Sequence, residues 1–206
     1  MADRRPGLRE QKLMHTRTEL ARFALELFVA RGYDETTVDD IVAAVEVSQR
    51  TFFRYFPRKE DAALFAQQVV DEAFVAALAA RPPDEGPAEA VRRAAGAAWG
   101  GLGNGAVGAV PVVLYLRALA VVDSTPALLA ADLLRSAATE AAVARVLAAR
   151  EGVDAGTDPR PQVAAAVYGG VMRAAIRAWS RGPDRSLPAL CGLLDGFLEA
   201  TQGELR

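Results

Sequence analysis

Gln49, Arg50 and Arg54 share one short polar stretch, QRTFFRY, and side chains of these types can read base edges. Arg makes paired hydrogen bonds to guanine and Gln to adenine, provided that a helix carries them into the major groove. Thr37, Ser48, Tyr55 and Lys59 lie around that stretch, and their hydroxyls and ammonium suit phosphate oxygens. Other chemistry is poorly supplied. The 206-residue chain has one His, His15, and one Cys, Cys191, which excludes a Cys/His zinc set and an intramolecular disulfide. No paired carboxylates stand out either, so no catalytic residue, metal or cofactor is expected.

Helices must position these side chains. Leu20, Phe23, Ala24, Leu27 and Phe28 recur at helical spacing and predict a first helix from about Lys12 to Arg31, stopped by Gly32. Thr37 with Asp40 three residues on imitates a capping box and opens a second helix, whose buried stripe is Val38, Ile41, Val42 and Val45. A turn at Glu46-Val47 follows, and Ser48 caps a third helix, Gln49 to Tyr55, which Pro57 closes. Two short helices joined by a tight turn, with Phe52 and Phe56 as anchors on the second, are what a helix-turn-helix requires. Arg4, Arg5, Arg9, Lys12 and Arg17 add a basic cluster at the N-terminal end.

Beyond Pro57 a long helix is expected from about Arg58 to Ala80, with Phe65, Val69, Val70, Phe74 and Leu78 on its apolar side. Arg81 to Pro87 breaks it. Further helices are predicted over residues 87–99, 110–122, 126–150, 159–180 and 187–201. The chain is 51% hydrophobic with a net charge of −2, it is rich in Ala, and no strand alternation recurs, which makes it all-α. The division expected is residues 1–57 as a DNA-binding head and 58–206 as a helical body. No run of 18 apolar residues or signal-peptide core is visible, so a cytoplasmic protein is expected. Gly103-Asn104-Gly105-Ala106-Val107-Gly108 spells GxGxxG, with Asp123 beyond it. That fingerprint works only between a strand and a helix, and here it reads as an interhelical loop.

The segment TTVDDIVAAVEVSQRTFFRYFPRKEDAAL, preceded by ALELFVARGYDE, resembles the DNA-binding signature of the TetR-type bacterial transcriptional regulators. Three positions depart from the family pattern. Glu46 stands where Gly is common, and a left-handed conformation there costs a non-Gly residue about 1 kcal/mol. Phe53 replaces a frequent Tyr and loses a hydroxyl for phosphate. Arg58 replaces a capping residue but can pair with phosphate.

The resemblance implies a ligand pocket and a dimer in the body. Phe74, Trp99, Tyr115, Arg117, Tyr168, Met172 and Trp179 are the candidate lining, with Asp123, Arg173 or Arg177 as further polar anchors. The apolar content points to a hydrophobic or amphipathic ligand. Ala166, Gly169, Gly170, Gly192 and Gly196 are the candidate dimer face, because Gly inside a helix costs about 1 kcal/mol and close approach of another helix offsets that. The alternative for these small residues is packing within one chain. The expected function is a ligand-responsive regulator, acting as a repressor, that binds a palindromic double-stranded operator as a homodimer. A ligand-independent architectural DNA-binding protein and a helical enzyme are the rival readings.

Overall fold

The structure, a computed structural model, describes residues 8–204, with side chains for residues 12–103 and 105–201. Ten helices and one small hairpin follow in order among these residues. The head is α1 (Leu8–Arg31), α2 (Val38–Ala44) and α3 (Gln49–Tyr55). The body is α4 (Lys59–Ala63), α5 (Phe65–Ala79), α6 (Pro87–Gly100), β1 (Ala106–Val107), β2 (Val110–Pro111), α7 (Val112–Ser124), α8 (Pro126–Glu151), α9 (Arg160–Arg181) and α10 (Leu187–Glu204). No single helix is long and apolar enough to cross a membrane. Arg4 and Arg5 lie outside the described residues, as does the side chain of Arg9.

Local signals explain the head. Gly32 takes a φ of +94°, and its N–H donates to Phe28 O at 3.0 Å, ending α1 where glycine is at ease. The α2 cap is reciprocal: Asp40 N–H donates to Thr37 Oγ1 at 3.2 Å, and Thr37 N–H donates to Asp40 Oδ2 at 2.8 Å. The α2–α3 turn is a Schellman motif, with Glu46 at φ +54° and Val47 N–H reaching back to Val42 O at 3.0 Å. The α1 stripe is shifted from the expected one. Leu20, Ala21, Ala24, Leu25 and Phe28 are buried, while Phe23 and Leu27 are half-buried at its edge.

Two features differ from the sequence expectation. The helix expected over residues 58–80 is interrupted at Leu64, where φ −93° and ψ 0° divide α4 from α5. No Gly or Pro causes this; Ala62, Ala63, Leu64 and Phe65 are all buried, so tertiary packing decides the bend. The GxGxxG segment is no plain loop. It forms a 3₁₀ turn over Gly101–Asn104 and then a hairpin whose tip, Gly108-Ala109, has positive φ at both positions, the type I′ requirement. Val107 and Val110 are buried, and the tip packs on Phe65 and Val69 of α5.

One hydrophobic core runs from Leu20 through Phe56 and Phe65 to Leu198, so no solvent gap separates head from body. Phe56 and Phe65 meet edge to face at 5.9 Å across the bend.

Candidate nucleic-acid interface and ligand cavity

On α3 the face opposite the core is exposed. Phe52 and Phe56 are buried, whereas Gln49, Arg50, Phe53 and Arg54 face solvent. Ser48 caps the helix, its Oγ accepting from Thr51 N–H at 3.2 Å. Among the described residues neither Arg50 nor Arg54 has a carboxylate within ion-pair distance, unlike most arginines of the body. Arg54 lies over the Tyr55 ring at 4.9 Å, and its Nη2 donates to the Tyr55 hydroxyl at 3.2 Å, so these two side chains form one unit. Gln49 is held back: its amide nitrogen donates to Asp39 Oδ1 at 2.5 Å, a bond that base contact must exchange.

Two expectations around the head, for Lys59 and Arg17, are corrected. Lys59 does not point to solvent; its ammonium donates to Tyr33 O at 2.9 Å and Thr36 O at 2.8 Å and lies 3.8 Å from the Tyr33 ring centroid. It fastens α4 to the α1–α2 turn, with help from Tyr33, whose hydroxyl donates to Glu60 Oε1 at 2.5 Å. Arg58 is also engaged, its N–H and guanidinium both donating to Asp61 at 2.9 Å. Arg17 belongs to the junction rather than to a basic surface, with its guanidinium 4.7 Å from the Phe65 ring centroid and 5.6 Å from that of Phe56.

Inside the body α5, α7, α8 and α9 enclose a cavity of ≈ 70 Å³, with Ala63 and Leu64 of the bend in its wall. That space is small beside the several hundred Å³ of an ordinary ligand pocket, so an occupant must part the helices. One side is apolar, with Leu119, Val122, Leu129, Met172 and Ile176. The other is a connected polar row. Tyr115 Oη donates to Gln67 Oε1 at 2.5 Å, Gln67 Nε2 donates to Asp71 Oδ1 at 2.9 Å, and Thr139 Oγ1 donates to Asp71 Oδ2 at 2.8 Å. Arg135 pairs with Asp71 and, at 2.6 Å, with Asp132 Oδ1. Arg173 pairs with Glu140 at 2.7 Å.

Two carboxylates thus share one guanidinium away from bulk water. Asp71 collects three donors, while Asp132 has Arg135 alone; burial pushes the Asp132 carboxyl up to about 6, with the charge of Arg173 pulling the other way. The same burial lowers Arg135 to about 10. Tyr115 and Tyr168 are raised because an ionised phenol is disfavoured there.

Of the expected lining residues, Tyr115, Tyr168 and Met172 reach this cavity. Phe74 stands behind it, stacked on Tyr168 at 4.2 Å, and Trp99 is buried core beside Tyr115. Arg117 and Trp179 belong instead to a separate open groove along α7, and Trp179 Nε1 donates to Ser186 O at 3.0 Å. The anchors Asp123, Arg173 and Arg177 do line the cavity, with Asp123 accepting from Ser180 Oγ at 2.8 Å. Sequence reasoning missed Gln67, Asp71, Asp132, Arg135, Ser136, Thr139 and Glu140. Their signal was present: residues 132, 135, 136, 139 and 140 recur at helical spacing and form a polar stripe on α8. Such a stripe normally faces water, but here it faces inward and Leu133 and Leu134 are exposed.

On α9 and α10, Ala166, Gly192 and Gly196 are exposed, and an added methyl at Gly170, Gly192 or Gly196 would meet nothing within 4 Å. Gly169 is the correction. It is buried against the Glu140 side chain of the same protein chain and lines the cavity, so it faces inward. Val163 and Phe197 are exposed large apolar residues on these two helices.

Residues 22–66 match the family described as bacterial regulatory proteins, tetR family, and residues 66–201 match the MftR C-terminal domain. The HTH-type transcriptional regulator TcmR of Streptomyces glaucescens is 44% identical over 200 residues, covering 97% of this chain and 88% of that protein. MftR of Mycobacterium tuberculosis, named as a mycofactocin biosynthesis transcriptional regulator, is 38% identical over 55 residues, 27% of this chain and 26% of that protein. A TetR-family transcriptional regulator from Mesorhizobium loti MAFF303099 shares the fold with a TM-score of 0.56 at 19% identity, over 93% of this chain and 97% of that one.

Proposed function

Because the chain belongs to the TetR family of bacterial regulatory proteins, and is a DNA-binding transcriptional regulator rather than an enzyme, we propose that it is a ligand-released repressor. It binds a palindromic operator as a homodimer, and a small amphipathic molecule in the body lowers its operator affinity. Residues 1–57 form the reading head and residues 58–206 the sensing and dimerising body.

The observation that carries this reading is the bend at Leu64. Lys59 and Glu60 tie α4 to the head, while Ala63 and Leu64 form part of the cavity wall. A molecule that spreads the cavity displaces α4 relative to α5, and α4 carries the head with it. To clear an operator, the ligand must favour the displaced arrangement by several kcal/mol, on the order of 3–5. Arg50 and Arg54 read bases, joined by Gln49 once it leaves Asp39. Thr37, Ser48 and Tyr55 contact phosphates, and Lys59 supports the head instead. Ala166, Gly170, Gly192 and Gly196, with Val163 and Phe197, form the face on which a second copy packs, and two-fold symmetry then demands a palindromic site.

The test is retention of sheared genomic DNA from the source bacterium on the purified protein, followed by sequencing, with Arg50→Ala in parallel. One palindrome enriched by the natural protein and lost with Arg50→Ala is expected. Absence of any enriched sequence at moderate salt overturns the operator reading. An operator affinity that no cavity ligand alters overturns the release reading.

A further inference from the structure

We propose that the cavity receives an amphiphile carrying a protonated amine, which sits on the Asp132 carboxylate between Ser136 and the Tyr168 hydroxyl. This rests on the ligand-responsive reading above and names the chemistry of its ligand. Asp132 gives only Oδ1 to Arg135, and its second oxygen has no hydrogen-bond partner among the described residues. Tyr168 is 6% exposed and lines the same cavity, yet its hydroxyl has no partner among the described residues either. The Ser136 hydroxyl one turn along α8 is likewise unpartnered. These three groups are not sealed from solvent; they line one cavity without a protein partner among the described residues, where a ligand can supply the partners.

Charge selects the class. The cavity wall holds Asp71, Asp123, Asp132 and Glu140 against Arg135, Arg173 and Arg177, one carboxylate in excess. Each arginine lies beside a carboxylate: Arg135 with Asp71 and Asp132, Arg173 with Glu140, and Arg177 3.9 Å from Asp123. An anionic ligand must take an arginine from its partner, whereas an ammonium neutralises the excess and breaks nothing. The opposite wall of Leu119, Met172 and Ile176 takes an apolar body.

Calorimetric titration of the full chain with 2-naphthylmethylamine, 2-naphthylmethanol and 2-naphthoate separates the possibilities. The amine is expected to bind at least about tenfold more tightly than the alcohol, with the carboxylate weakest, as a charged hydrogen bond in a dry site requires. Asp132→Asn is expected to bring the amine down to the alcohol while leaving the alcohol unchanged. If that variant does not fold, Tyr168→Phe, which keeps the ring on Phe74, is expected to weaken the amine several-fold. Equal binding of amine and alcohol, tightest binding of the carboxylate, no binding of the amine at millimolar concentration, or an unchanged preference in the folded variants overturns the assignment. Retention of genomic DNA is measured in the same samples. Amine binding with the DNA still held leaves this assignment standing and overturns the release reading alone.

Discussion

The ammonium of Lys59 donates to the carbonyl of Thr36, 2.8 Å away and 23 positions earlier in the chain. Thr36 is fully buried, and its own hydroxyl donates to Gly32 O at 2.8 Å. One lysine therefore closes the turn between α1 and α2 and anchors the first residue of α4. Its ammonium is thus directed at backbone carbonyls of the α1–α2 turn rather than at solvent.

Lys59→Met keeps the aliphatic stem and strips the donors from two carbonyls. Urea unfolding is expected to show a loss of about 1–3 kcal/mol. The salt dependence of DNA binding is expected to keep its slope, whereas loss of a phosphate contact lowers that slope by about 1. A reduced slope without loss of stability would return Lys59 to the phosphate set.

Glu46→Gly relieves the one non-glycine left-handed residue of the helix-turn-helix, at φ +54°. A gain of about 0.5–1 kcal/mol in urea unfolding is expected, since the relief exceeds the chain-entropy cost of glycine. An unchanged or lowered midpoint would show that Glu46 contributes something its exposed position does not reveal.

Asp132 gives the body a pH dependence of known sign. Its folded value of about 6 lies above the ordinary 3.8, so the folded state holds this proton more tightly than the unfolded one. The contribution is present below pH 4 and is lost as pH rises through about 6. Asp132→Asn removes it, so relative to the natural protein the variant is expected to gain about 1–3 kcal/mol between pH 4 and pH 7. Paired urea titrations at the two pH values measure this, and a constant gap between the proteins contradicts it.

Gly169→Ala places a methyl group where the Glu140 side chain now lies. Glu140 can swing away at the cost of its bond to Arg173, and alanine recovers about 1 kcal/mol of helix propensity. Stability is expected to stay within about 1 kcal/mol of the natural protein, while binding of 2-naphthylmethylamine weakens because the cavity narrows. Unaltered ligand binding would place the occupied space away from α9.

The head was legible because its signals are local. Thr37 with Asp40, Ser48 with Thr51, and Gly32 each act within four residues, and the structure has all three where the sequence puts them. The bend at Leu64 was not legible, since KEDAALFAQQ contains no helix breaker and the interruption comes from packing on other helices. Nor was the polar row of α8, whose spacing is that of an ordinary wet face. Only its partners, Gln67 and Asp71 on α5, Tyr115 on α7 and Arg173 on α9, show that it points inward. A local pattern that conflicts with the global arrangement in this way is where function tends to lie.

Tyr115, Asp132, Ser136 and Tyr168 lie in the cavity, and no residue of α2 or α3 reaches it. Under the proposed function, selection can therefore change what the body senses without touching what the head reads, and the reverse, so the two specificities can drift apart or be engineered one at a time. The exception is the short piece from Lys59 to Leu64, which touches both the head and the cavity wall.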